Sequence, residues 1–198
     1  RKEGNEMVRK IKKGLACALV AALAFTCATP VTASAAGSAT TAPQPVKNAK
    51  ASTTIASGVK ATVSTTAKGQ ATLTSVTPKK KTSISVASSV TVKGVKYTVT
   101  TIGANAFKKA PKVKTVTLPS TVTKLNGKAF TGAKKIKTIK IKAKGKVTVN
   151  KKAFSGLTKK QKSKIVIKVN KKMSKKNFNA LKKALKAAGI STKNIKRG

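Results

Sequence analysis

The segment "TIGANAFKKAPKVKTVTLPSTVTKLNGKAF", residues 101–130, contains the pair Ala-Phe twice. Phe107 and Phe130 are 23 residues apart, and a third Ala-Phe pair places Phe154 another 24 residues along the chain. A repeat of about 20–50 residues indicates units that stack on one another, because a single unit cannot bury its own apolar side. We therefore expect each ring to occupy the same interior position, one coil further along.

Aliphatic residues recur together with the rings. They stand five residues before each phenylalanine and again about ten residues after it, so the predicted core is Ile102, Phe107, Val116, Leu118, Leu125, Phe130, Ile139, Ile141, Val149, Phe154, Ile165 and Ile167. In the third unit the pair Ile165 and Ile167 is displaced by two residues, through the stretch "LTKKQKSK". With a short strand, a turn and a compact helical segment in each unit, residues 101–170 form about three repeats of an α/β solenoid.

The segments on either side predict a cap for each end of the array. Alternating β-branched runs with a turn signal at Lys93-Gly94 predict a small, mostly antiparallel β unit over 59–100. Residues 171–198 predict a helix and tail, in which Ser174 caps the helix, Gly189 stops it, and the apolar stripe is Phe178, Leu181, Leu185 and Ala188. The helix docks on the last coil in one interpretation and lies on an anionic membrane in the other.

The first 36 residues have the layout of a secretory signal peptide. A basic segment from Met7 precedes an apolar run of 13 residues, 15–27, and small residues follow up to a cleavage site at Ala35 or Ala36. The run is shorter than the about 20 residues that span a bilayer, so the mature chain is expected to lack a transmembrane helix. Residues 1–6 read as upstream sequence, and the Ala/Thr/Ser/Pro-rich stretch 37–58 as a flexible linker.

The composition of the chain excludes most catalytic and metal-binding chemistry. Six of the 45 lysines and arginines precede Gly37, and the remaining 39 follow it with no acidic residue among them. Histidine is absent, and both cysteines, Cys17 and Cys27, lie in the signal segment. General acid–base catalysis and metal binding draw on His, Asp, Glu and Cys. A serine or threonine activated by lysine is the route that is left, and no motif marks one. We therefore predict no enzymatic activity, no cofactor and no metal site.

The stretch "TIGANAFKKAPKVKTVTLPSTV" resembles the BspA-like leucine-rich repeat, in which an isoleucine, an Ala-Phe pair and a strand ending in Leu-Pro recur. The resemblance covers about 59–190 and departs from the pattern at "IKIKAKGKV", where Leu-Pro is expected, and at Ala110 and Ala133, where cysteine is frequent. It implies a secreted or surface-exposed bacterial protein that adheres to host or neighbouring-cell surfaces. It implies no particular ligand.

The lysines suggest where a partner binds. On the open face of the strands the expected cluster is Lys114, Lys137, Lys140, Lys142, Lys164 and Lys168. One hypothesis is that these lysines contact an anionic polymer, such as teichoic acid or an acidic glycan, on a protein or glycan surface. A second is that they only keep a structural or self-associating envelope protein soluble. Nonspecific nucleic-acid binding is the third; base readout favours arginine, and only Arg197 remains after position 36.

Overall fold

The computed structural model describes residues 44–55 and 59–198, so the predicted signal segment lies outside the described residues. All described residues belong to one compact unit, Thr41–Gly198. The strands are β1 (Lys50–Ile55), β2 (Val59–Thr65), β3 (Gln70–Thr77), β4 (Ser83–Ser85), β5 (Ser89–Val92), β6 (Val95–Ile102), β7 (Thr115–Leu118), β8 (Lys124–Leu125), β9 (Thr138–Ile141), β10 (Thr148–Val149), β11 (Val166–Val169) and β12 (Ile195–Arg197). The helices are α1 (Lys159–Ser163) and α2 (Lys175–Ala187), and a 3-10 turn spans Thr192–Asn194. Within this part of the chain, no helix has the length and apolarity needed to cross a membrane.

The strands form two sheets. One has the order β1-β2-β3-β6-β8-β10, with β5 paired to β6. The other has the order β12-β11-β9-β7-β4, and all its neighbouring strands are parallel. Each full repeat adds one short strand to both sheets, β7 and β8 in one repeat and β9 and β10 in the next. The three predicted repeats supply β7, β9 and β11 of the parallel sheet. The sheet therefore has one further strand at each edge, β4 and β12.

The three phenylalanines stack in the interior. The ring centroids of Phe107 and Phe130 are 5.1 Å apart and those of Phe130 and Phe154 are 4.9 Å apart, with interplanar angles of 0° and 6°. All three side chains are fully buried. The alanine before each ring is also buried, and its small side chain lets the backbones approach. The amide N–H of Phe107 donates to the carbonyl of Ala129 at 3.0 Å, and that of Phe130 to Ala153 at 3.1 Å.

The aliphatic residues of the parallel sheet form continuous columns. Ile84, Val116, Ile139, Ile167 and Ile195 stand opposite one another on consecutive strands, and each is at most 5% exposed. All twelve predicted core residues are buried.

The register of the third unit differs from the prediction. Ile167 lies opposite Ile139, and Val169 lies opposite Ile141, whereas the sequence placed Ile165 and Ile167 in those positions. The cause is the inserted helix α1, which begins with a reciprocal cap. Thr158 Oγ1 accepts from the Gln161 N–H at 3.2 Å, and Gln161 Oε1 accepts from the Thr158 N–H at 2.9 Å. One helical turn takes up about 3.6 residues, so the displacement is four residues instead of two.

The N-terminal β unit begins earlier than predicted. Residues 37–58 were expected to be a linker, yet Lys50–Ile55 within them forms β1, which pairs with β2 in antiparallel register. The predicted hairpin turn is present between β5 and β6. Lys93 and Gly94 have φ values of 49° and 78°, the left-handed conformation that a two-residue turn of type I′ requires.

Helix α2 lies at the other end and buries its apolar stripe. Ser174 Oγ accepts from the Asn177 N–H at 3.2 Å, and Gly189, with φ of 91°, follows the helix. Leu181 and Leu185 are fully buried, and the helix packs near β10. The apolar stripe is therefore occupied by packing within the protein, which contradicts the membrane-surface interpretation of this helix.

Candidate functional site

A row of side chains crosses the open face of the parallel sheet. Ser85, Thr117, Lys140, Lys168 and Lys196 stand opposite one another on β4, β7, β9, β11 and β12. The three lysines are exposed, and parallel strands are about 4.8 Å apart. The row therefore brings like charges close together on neighbouring strands, where they repel one another.

The chain beyond each strand adds more lysines. Lys142 follows β9, and the Asn170 side chain fixes the turn after β11, because Asn170 Nδ2 donates to the Lys142 carbonyl at 2.8 Å. Asn170 Oδ1 also accepts from the Lys172 N–H at 2.9 Å. This asparagine therefore holds two lysine-bearing segments side by side.

Two lysines of the row, Lys140 and Lys168, and lysines of the adjoining turns line one groove of about 700 Å³, here called the lysine groove. Six lysines and five other residues line it. The lining residues are Ser120, Lys140, Ile141, Lys142, Lys144, Lys168, Val169, Asn170, Lys171, Lys172 and Gly198. All six lysine side chains are exposed.

Half of the six predicted binding lysines line this groove, namely Lys140, Lys142 and Lys168. The others do not line it. Lys114 and Lys137 precede β7 and β9, where the Lys137 N–H donates to the Lys114 carbonyl at 2.8 Å. Lys164 is the C-cap residue of α1 instead of a strand residue, because the four-residue displacement moves it out of the sheet.

Three of the groove lysines, Lys144, Lys171 and Lys172, were not predicted from the sequence. Lys196, which lies on the row but does not line the groove, was not predicted either. The lysine pairs and alternations after β9 and β11, "KAKGK" and "NKK", were a usable signal, since equivalent turns of stacked repeats lie together. Lys196 had no such signal, because β12 pairs with β11 only after the chain returns from α2.

The residues that line the lysine groove include no His, Cys, Asp or Glu. The described residues contain no cluster of three or more His, Cys, Asp or Glu side chains that could hold a metal ion. Apart from its lysines, the lysine groove presents one side-chain amide, that of Asn170, and one hydroxyl, that of Ser120.

A family model described as BspA type leucine rich repeat region matches residues 81–196 in six copies. The chain belongs to this family. The matched range extends beyond the predicted repeats, 101–170, on both sides; it includes β4 and ends within β12. Leucine-rich-repeat proteins are in general binding modules without catalytic activity, and membership indicates a repeat module of this kind.

Two solved structures illustrate what this BspA-type chain is similar to. A leucine-rich repeat protein from Bacteroides capillosus ATCC 29799 is 27% identical, with 50% of this chain and 74% of that chain covered and a TM-score of 0.44. A leucine rich cell surface protein from Faecalibacterium prausnitzii A2-165 is 24% identical, with 61% of this chain and 33% of that chain covered and the same TM-score of 0.44. Among curated proteins, no sequence matches the chain.

Proposed function

We propose that this chain is a secreted or surface-exposed binding module, without enzymatic activity, that holds an anionic polymer in the lysine groove. The observation that carries the proposal is the convergence of six exposed lysines on one groove of about 700 Å³. No acidic side chain follows Glu6 in the sequence, so no carboxylate side chain of the repeats competes with the ligand. Teichoic acid and acidic glycans are polymers of this class.

The expected affinity arises mainly from the release of counterions. A flexible polyanion that neutralises six lysines should bind with a logarithmic salt dependence of about −4, which is about −0.7 for each contact. The 39 basic residues after position 36 also create a long-range field that attracts polyanions to the whole molecule. The groove then supplies the place where such a polymer is held.

The location and the domain plan belong to the same proposal. Residues 7–36 would direct export, and the residues from 37 to the start of the folded unit would link the two. The N-terminal β unit and α2 would cover the two ends of the array as caps, because the terminal repeats of a stacked array need a polar outer face. One similar structure is described as that of a leucine rich cell surface protein, which supports an extracellular location for this chain.

A structural envelope protein with no dedicated ligand is the second candidate. The observation in its favour is that exposed lysines also occur far from the groove in sequence, as at Lys79, Lys80 and Lys81. Lysine spread over a surface promotes solubility without a ligand. Nucleic acid is supported less well, since the groove lining has no aromatic residue on which a base could stack.

Two variants of equal net charge separate these candidates. Lys140→Gln with Lys168→Gln removes two charges from the groove, and Lys79→Gln with Lys80→Gln removes two charges from a turn outside it. The binding of the full chain to long-chain inorganic polyphosphate is measured at about 50 mM salt by fluorescence anisotropy. We expect the groove variant to bind about tenfold more weakly and the control variant to change by less than about threefold. Equal losses in both variants would mean that the charge acts only through the general field, and the proposed site would be refuted.

A further inference from the structure

A smaller cleft continues the lysine groove toward β7 and β4. It has a volume of about 250 Å³ and is lined by Ser85, Val86, Ser88, Thr117, Pro119, Ser120 and Lys142. Ser120 and Lys142 line both cavities, so the two are contiguous. We call the smaller one the hydroxyl cleft, because four of its lining residues carry hydroxyl groups.

The four hydroxyls of the cleft are available to a ligand. Within the described part of the chain, the side chains of Ser85, Ser88, Thr117 and Ser120 make no hydrogen bond. Thr121, on the same segment as Ser120, differs, since its Oγ1 donates to the Val99 carbonyl at 2.7 Å. The cleft hydroxyls thus have both donor and acceptor capacity that the fold does not use.

The site therefore changes from neutral hydroxyl groups to positive charge along its length. In the row that crosses the sheet, the positions on β4 and β7 are Ser85 and Thr117, and the positions on β9, β11 and β12 are lysines. A ligand that crosses the strands meets neutral hydroxyls at one end and positive charge at the other. Such a surface fits a polymer whose units combine an anion with a polyhydroxy segment.

We propose that the lysine groove and the hydroxyl cleft form one continuous site for a polyol phosphate polymer, with its phosphates at the lysines and a polyol unit in the cleft. This inference rests on the proposed function. Lysine presents a compact point charge that suits phosphate. The cleft holds about eight water volumes, at about 30 Å³ each, which is the room of a short polyol. Neither cavity is lined by an aromatic residue on which a sugar ring or base could stack.

The test compares three probes of matched chain charge: poly(glycerol phosphate), inorganic polyphosphate and polygalacturonate. The hydroxyl-cleft variant of the full chain carries Ser88→Ala, Thr117→Val and Ser120→Ala, which keep the net charge and nearly keep the shapes. Ser120→Ala alone is the milder variant, because Ser120 is exposed. Thr98→Val, on β6 of the other sheet, is the control for the loss of an exposed hydroxyl. Melting curves establish that each variant is folded.

The unmodified chain should bind poly(glycerol phosphate) at least about threefold more tightly than polyphosphate at the same salt concentration. The hydroxyl-cleft variant should lose about five- to twentyfold in affinity for poly(glycerol phosphate), the effect of two or three lost hydrogen bonds, and less than twofold for polyphosphate. Tightest binding of polygalacturonate, or equal losses for both phosphate polymers, would overturn the inference and leave the proposed function standing. Failure of all three probes to bind would refute the proposed function itself.

Discussion

The phenylalanine stack makes a prediction that does not depend on any ligand. Phe107, Phe130 and Phe154 are equally buried and chemically identical, yet Phe130 stacks on two rings and the others on one. Replacing a buried phenylalanine by alanine destabilises a protein by about 3–5 kcal/mol, and each stacked pair contributes about 0.5–1.5 kcal/mol beyond area burial. We therefore expect Phe130→Leu, which keeps most of the apolar volume, to cost about 0.5–1.5 kcal/mol more than Phe107→Leu or Phe154→Leu.

The assay is urea denaturation followed by circular dichroism at constant salt, because the chain has no tryptophan and a single tyrosine. Double-mutant cycles add a second criterion. The cycle of Phe107 with Phe130 should give a coupling free energy of about 0.5–1.5 kcal/mol, and the cycle of Phe107 with Phe154, which do not touch, should give about zero. Equal costs at the three positions, or coupling between the two outer rings as large as between neighbours, would refute the stacked arrangement.

Three further predictions concern stability. The melting temperature should rise by at least about 3 °C between 10 and 300 mM salt, because screening weakens lysine–lysine repulsion and about 1 kcal/mol shifts a chain of this size by about 2–4 °C; a melting temperature independent of salt would contradict this. Lys128→Asn should stabilise the protein by about 0.5–1 kcal/mol in urea denaturation, since Lys128 has φ of 58° and Asn105 adopts the same angle one coil earlier; a loss of stability would show that left-handed Lys128 is not strained. Arg197→Lys should destabilise the protein by about 0.5–1 kcal/mol in urea denaturation, because the guanidinium lies 4.8 Å from the Phe178 ring centroid and donates to the Met173 carbonyl at 2.9 Å; unchanged stability and unchanged hydrogen exchange in α2 would argue against this role.

The interior positions that recur along the sequence were predictable, but the compact helical segment expected at each Ala-Phe pair is a turn in all three repeats. The spacing of Phe107, Phe130 and Phe154 identifies three equivalent interior positions, and the ring stack occupies them. The turn at Lys93-Gly94 was predictable because the two residues that form it are adjacent in the sequence. Both have the positive φ values that this turn needs.

The parts that depend on distant pairing were not predictable. Strand β1 has the sequence "KASTTI", which is mostly small and polar, and its conformation is set by pairing with β2. The displacement in the third unit depends on whether "KKQKS" forms a helical turn or a loop, and the lysines around it give no apolar pattern to decide. For the same reason Lys164 was misplaced.

The cationic character of the candidate site was predictable from the sequence, but only some of the lysines that line it were. The lysine excess indicated a cationic surface, and the repeat alignment placed Lys140, Lys142 and Lys168 correctly at the lysine groove. Lys171 and Lys172 also line the groove. The Asn170 side chain places them there, because it hydrogen-bonds both to the Lys142 carbonyl and to the Lys172 N–H. The hydroxyl cleft had no sequence signal, since serine and threonine are common throughout the chain and only the fold brings Ser88 and Ser120 together.

Lysine footprinting with a polymer bound tests the central claim most directly. The full chain is acetylated briefly with and without poly(glycerol phosphate), and the modification of each lysine is measured by mass spectrometry. We expect little protection of Lys79, Lys80 and the exposed lysines of α2. We expect strong protection of the groove lysines, which are Lys140, Lys142, Lys144, Lys168, Lys171 and Lys172. Uniform protection of all lysines, or protection centred outside the groove, would contradict the claim.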